Sequence, residues 1–104
     1  MKNIGKVVRE IRKRRNLTQV QLAKKAKIAQ GHLSLIESGD VDNVTNETVK
    51  SLSKALCVPV SVIEFMALDF SDIQPGKREM FKDLKPATDA LINEFFFETK
   101  SEKK

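Results

Sequence analysis

Few side chains in this sequence can do chemistry, and they are scattered. There is one histidine, His32, and one cysteine, Cys57. A metal site assembled from clustered imidazoles and thiolates is therefore not expected. A single thiol cannot build an intrachain disulfide framework, which fits a reducing compartment. No obvious cationic neighbour along the chain stabilises a Cys57 thiolate, so it reads as a buried, inert thiol rather than a redox sensor. Converging carboxylates, a nucleophile with its base and a glycine-rich phosphate loop are not found. Catalysis is thus the weakest of the function classes, and no cofactor is implied.

What the sequence concentrates is positive charge. Residues 1–38 carry Lys2, Lys6, Arg9, Arg12, Lys13, Arg14, Arg15, Lys24, Lys25 and Lys27 against Glu10 and Glu37, a balance of +8. Residues 39–104 carry nine basic and twelve acidic side chains, a balance of −3. A basic first third on a mildly acidic remainder is the asymmetry of a polyanion-binding face. Charge alone equally fits a solvated Lys/Arg surface that binds nothing.

The scaffold that must position these groups is small. At 104 residues, 40% hydrophobic and 32% charged, the chain has the balance of one ordinary globular domain. Folding at this length hides roughly two-thirds of the unfolded surface, enough for a core without staples. Nowhere do about 18 apolar residues run together, so no membrane span is expected. Met1 to Lys6 turns charged too quickly for a secretory leader, and the expectation is a cytoplasmic protein.

Ile4, Val7, Val8 and Ile11 fall at helical spacing and predict a first amphipathic helix, its other face bearing Lys6, Arg9, Lys13 and Arg14. Asn16-Leu17 breaks it. Thr18 and Gln21 form a capping box that starts a short second helix with Leu22, Ala23 and Ala26 inward. After a turn at Lys27-Ile28-Ala29, a third helix runs from about Gln30 to Ser38, burying Leu33 and Ile36 and ending at Gly39. Beyond the polar loop 40–44, Thr45 or Asn46 caps a fourth helix with Val49, Leu52 and Leu56 inward, stopped by Val58-Pro59. Ser61 and Glu64 predict a second capping box, with Val60 stapled onto Phe65, for a fifth helix to about Leu68. No strand pattern appears, and the predicted class is all-α.

Pro75-Gly76 marks a boundary. Past it, Met80, Phe81 and Leu84 precede Lys85-Pro86, where a helix either restarts or kinks. Ala87, Leu91, Ile92, Phe95 and Phe96 then give a strongly apolar face, and Ser101 to Lys104 are expected to fray. This tail either packs over its own domain or forms a subunit interface. The second reading is favoured because the preceding core offers little apolar surface for so many rings. The candidate interface residues are Phe81, Leu84, Leu91, Ile92, Phe95 and Phe96.

From Leu17-Thr18-Gln19-Val20-Gln21-Leu22-Ala23 through Leu33-Ser34-Leu35-Ile36-Glu37-Ser38-Gly39 the sequence resembles the Cro/cI, or Xre-type, helix-turn-helix regulators. The resemblance covers about residues 4–68, and the T-Q-x-x-L-A start, the I-E-x-G end and the later Ala55-Leu56-Cys57-Val58 stretch occur in order. It implies a five-helix lambda-repressor-like DNA-binding domain over residues 1–70, with the motif at about 18–38. A C-terminal helical extension would occupy 71–104 as a possible dimerisation element. In this family the second motif helix enters the major groove while the first abuts the backbone.

Carried over position by position, the resemblance makes Thr18, Gln19, His32 and Ser38 contacts to phosphate or backbone. Gln30, Gly31, Ser34 and Leu35 become the base-reading positions, Gln30 because its amide can pair with adenine N6 and N7. Arg12 and Glu37 match a family ion pair and are structural. The sequence departs from the pattern at Lys27 (usually glycine), at Ala29 (often a Ser or Thr cap) and at Leu35 (often polar, here able to meet a thymine methyl). It departs again in the acidic loop Asp40-Val41-Asp42-Asn43. The implied function is a repressor that binds an inverted repeat in double-stranded DNA as a homodimer. The alternative is a protein-binding module such as an antitoxin or adaptor, with a small protein partner and DNA binding secondary.

Overall fold

The computed structural model describes residues 3–41 and 44–97. Among them every regular element is helical. The expected fraying of Ser101 to Lys104, and Asp42 and Asn43 of the acidic loop, lie outside the described residues. The chain divides after Ala67 into two compact units.

The first unit holds α1 (Ile4–Arg14), α2 (Gln19–Ala26), α3 (Gln30–Ser38), α4 (Asn46–Leu56) and α5 (Val60–Met66). The apolar stripe of α1 is buried as the periodicity predicts, with Ile4, Val7, Val8 and Ile11 at 4% exposure or less. Around it close Leu22, Ala23, Leu33, Ile36, Leu52, Leu56 and Ile63. α1 lies against α3 and α5, and α2 against α3 and α4. Gly5 explains how closely α1 meets α3. A Cβ built there would fall 1.8 Å from the Ile36 carbonyl oxygen, far inside contact distance. Asn3 closes the unit by donating from its amide to the Ala67 carbonyl at 3.1 Å.

The helix starts follow their caps. Thr18 accepts from the Gln21 N–H at 3.1 Å while the Gln21 side chain accepts from the Thr18 N–H at 2.9 Å, the predicted capping box. Thr45, not Asn46, caps α4, accepting from the Thr48 N–H. The second predicted box is a correction. α5 begins at Val60 with Pro59 in the cap position, and no side chain caps it. Ser61 is already inside the helix there, so its hydroxyl is not placed to cap, and α5 stops at Met66 rather than Leu68.

Helix ends use left-handed residues. Asn16, Lys27 and Cys57 take φ of 59°, 60° and 61°, and Gly39 takes 85°. Lys27 thus bears the steric cost its position foreshadows. α4 ends at Cys57, before Val58-Pro59 can stop it. Cys57 is also exposed rather than buried. A residue that turns the chain out of a helix points its side chain away from the packed face, and the apolar spacing of α4 carries no sign of that.

In the second unit, short 3-10 turns at Phe70–Asp72 and Pro75–Lys77 precede α6 (Arg78–Phe96). Arg78 ties the turns to the helix, donating to the carbonyls of Ile73 at 2.8 Å and Ser71 at 3.2 Å. Its guanidinium also lies 5.6 Å from the centre of the Phe70 ring. α6 continues through Pro86, so the helix does not restart there, and the proline sits inside it. No residue of α6 is fully buried, and Met80, Leu84, Leu91 and Phe95 are 54–72% exposed on one face. Phe81, Ile92 and Phe96 are half-buried.

Candidate nucleic-acid interface

The predicted DNA-facing residues lie at the start of α2 and along α3. Thr18 opens α2 with its side chain exposed, and Gln19 follows in the first turn. Ala29 precedes α3 without any side-chain cap, so the first N–H groups of α3 have no protein acceptor from that residue. These are the donors that suit an anion at a helix N-terminus. Leu33, Ile36 and Glu37 face inward, which fixes the roll of α3. Gln30, Gly31, His32, Leu35 and Ser38 are turned out, and Ser34 is half-buried. Leu35 is 48% exposed, which leaves its methyl groups on the open face. A Cβ added at Gly31 would meet nothing, so packing does not demand glycine there.

Beneath this face lies a chain of hydrogen bonds. Arg12 grips Glu37 with two donors on one edge of its guanidinium, Nε to Oε2 at 2.7 Å and Nη2 to Oε1 at 2.9 Å, and its Nη1 donates to the Leu17 carbonyl. The pair is largely out of water, with side-chain exposures of 11% and 3%. Glu37 Oε1 also accepts from the Gln19 amide nitrogen at 3.0 Å. The Gln19 amide oxygen in turn accepts from the Gln30 amide nitrogen at 3.1 Å. The ion pair matches the sequence reading. Its extension through Gln19 to Gln30 was not anticipated. The signal available was that a carboxylate has about four acceptor positions and a bidentate arginine fills two of them.

The chain has a fixed polarity. Arginine only donates and the carboxylate only accepts, so Gln19 must turn its nitrogen inward and its oxygen toward Gln30. Gln30 then spends one N–H on Gln19, which leaves the oxygen and second N–H of this exposed side chain uncommitted. That uncommitted pair is the complement of adenine N6 and N7 in the major groove. Gln19 therefore commits its amide oxygen and one of its two N–H groups to positioning Gln30, a role the sequence reading did not give it. Ser38 is likewise committed: its hydroxyl lies 3.0 Å from the Leu35 carbonyl and 2.9 Å from Asp40 Oδ2. Two acceptors share that one proton, so Ser38 offers an incoming phosphate no free donor until it rotates.

Two cations of the first third are also committed to the fold. Arg12 holds Glu37, and Arg15 donates to the carbonyls of Leu56 at 2.9 Å and Cys57 at 3.3 Å, closing the end of α4. At the far ends of α2 and α4, Lys25, Lys27 and Lys54 surround a cleft of about 430 Å³ floored by Ala26 and Ala55. Cys57 lines this cleft, so it has cationic neighbours in space that the linear sequence does not show. Among the described residues no cluster of three or more His, Cys, Asp or Glu could hold a metal ion. No helix among them is long and apolar enough to cross a membrane.

A five-helix unit with an exposed third helix, anchored from beneath by an Arg–Glu pair, defines a class, and comparison with known proteins agrees. The helix-turn-helix family profile matches residues 8–63, and the chain belongs to that family, in its Cro/cI type. Over 94 residues it is 34% identical to the immunity repressor protein of Bacillus phage phi105, a stretch covering 79% of this chain and 65% of that protein. This chain thus spans somewhat less than two-thirds of the length of that relative. No solved structure matches it.

Proposed function

We propose that this protein is a sequence-specific regulator of transcription, a repressor that binds an inverted repeat in double-stranded DNA as a homodimer. The observation that carries the reading is the chain from Arg12 through Glu37 and Gln19 to Gln30. It holds an amide that can complement adenine on the exposed end of α3. Gln30, Gly31, Ser34 and Leu35 face the base edges, while Thr18, Gln19, His32 and Ser38 lie toward the sugar-phosphate backbone. The relative described as an immunity repressor supports the repressor assignment. Its longer chain leaves the regulated genes and partners of the present protein to experiment.

Dimerisation follows from the reach of one helix. A single α3 spans only a few base pairs, and two-fold pairing doubles the site at a spacing of about one helical turn. The exposed apolar face of α6 supports a second copy as its occupant, with Leu84, Leu91 and Phe95 central and Phe81, Ile92 and Phe96 at the edges. The same face favours the second reading, an adaptor or antitoxin that holds a small protein partner.

The test is binding of the purified chain to a fragment from upstream of its own gene against scrambled DNA, over a salt series, with mass by light scattering. A dimer preferring the upstream fragment by about a thousandfold establishes the regulator. Equal, steeply salt-dependent affinity for both fragments refutes specific readout. Leu84→Glu with Leu91→Glu should give a monomer of unchanged helicity and weaker operator binding. A double variant that remains dimeric removes α6 from the interface.

A further inference from the structure

α1 carries a second cationic surface that the base-reading face does not use. Lys6, Arg9 and Lys13 are exposed and fall at spacings of three and four, one line along the solvent side of the helix. Among the described residues no ion pair engages any of them. The nearby carboxylate, Glu10, faces Arg14 at 3.8 Å. Lys13, in the last turn, complements the helix dipole, but Lys6 does not. It stands in a first turn that has no acidic residue, where the macrodipole disfavours a cation. The sequence thus places charge against its own helix with no partner to offset it.

Position gives this line a use. Gly5 touches the Ile36 carbonyl and Arg12 holds Glu37, so one side of α1 rests on the last turn of α3. Arg9 lies between Gly5 and Arg12 on that same side, but its side chain is exposed. The line therefore borders the C-terminal end of α3. Gln30 stands at the other end of that nine-residue helix, about 12 Å away at 1.5 Å per residue. From Lys6 to Lys13 the line runs about 10 Å along α1, long enough to lie along a strand of the sugar-phosphate backbone.

We propose that Lys6, Arg9 and Lys13 are a phosphate-binding line that takes the backbone of the same duplex beyond the base pairs that Gln30 addresses. The inference rests on the DNA-binding reading and adds to it a surface that contributes affinity and register but no base preference.

The test uses the full chain on duplex DNA across a salt series. The triple variant Lys6→Gln, Arg9→Gln, Lys13→Gln is compared with Lys25→Gln, Lys27→Gln, Lys54→Gln, which removes the same charge from the cleft at the far end of α2. The α1 triple should flatten the plot of log K against log salt by about 2.7, close to 0.9 per lost contact, and leave the ranking of operator variants unchanged. The cleft triple should keep the wild-type slope. A wild-type slope in the α1 triple, or equal flattening in both, overturns the proposal. Wild-type protein that binds no duplex overturns the DNA-binding reading first, a separate outcome. Should the triple fold poorly, Lys6→Gln alone carries the test, with an expected flattening of about 0.9, because it relieves the first turn of an unfavourable charge.

Discussion

The Arg12–Glu37 pair beneath α3 should behave as one unit in stability measurements. Arg12→Ala would leave the Glu37 carboxylate, 3% exposed, with the Gln19 amide as its remaining side-chain donor. Glu37→Ala would leave the Arg12 guanidinium, 11% exposed, with the Leu17 carbonyl. Breaking a buried pair from one side costs about 3–5 kcal/mol. The residual donor and acceptor place both variants at the lower end, about 3 kcal/mol each. For a unit of this size that is a fall in Tm of about 12–24 °C. The double variant removes both charges, so it should cost clearly less than the two singles together, with a coupling of at least about 1.5 kcal/mol. Arg12→Lys should lose roughly half of the coupling, since an ammonium cannot engage both carboxylate oxygens in the plane of a fork. Urea denaturation followed by helical circular dichroism supplies all four corners of the cycle. Single variants costing under about 1 kcal/mol, or a double equal to their sum, would refute the argument that burial makes this pair interdependent.

Three further outcomes are expected. Gln30→Ala should lose about 1–3 kcal/mol of discrimination at one base position, read by competition among single-base operator variants; an unchanged ranking would dismiss Gln30 as the reader. Gly31→Ala should raise the thermal stability of the free protein, by up to about 1 kcal/mol, because its Cβ meets nothing. If α3 approaches the groove closely, the same variant should weaken operator binding, and a gain in both quantities would contradict that approach. Lys27→Gly relieves a residue held at φ 60° and should stabilise the chain by about 1 kcal/mol in chemical denaturation.

Much of this architecture was legible because it is local. The stripe of Ile4, Val7, Val8 and Ile11, the box of Thr18 and Gln21 and the end of α3 at Gly39 are encoded within a few residues of where they act. The misreadings came from competition between local signals. Ser61 and Glu64 satisfy the capping pattern, but Pro59, with its fixed φ and missing N–H, starts α5 earlier and draws Ser61 inside. Cys57 reads as buried because no cation stands near it along the chain, whereas its left-handed backbone ends α4 and leaves it exposed beside a cleft that Lys27 and Lys54 also line. At the site, residue types were readable and their wiring was not. Nothing in the spacing of Gln19, Gln30 and Glu37 states that the three amide and carboxyl groups meet, since that depends on how closely α2 crosses α3 above α1.

The direction in which Gln30 presents its amide is inherited. Arg12, which lies beneath the reading surface, dictates the orientation of Glu37, then of Gln19, and through them which edge of Gln30 looks outward. In the proposed DNA complex the letter read in the groove would thus be set partly by residues that never meet a base. An exchange of donor for acceptor at position 19 would rotate the reader in place, with Gln30 itself unaltered. A lineage adapting to a drifting operator would therefore have two independent sites of change, the reader and the support that aims it. Substitutions in the second would look, on inspection of the contact surface alone, as though they had no bearing on sequence preference.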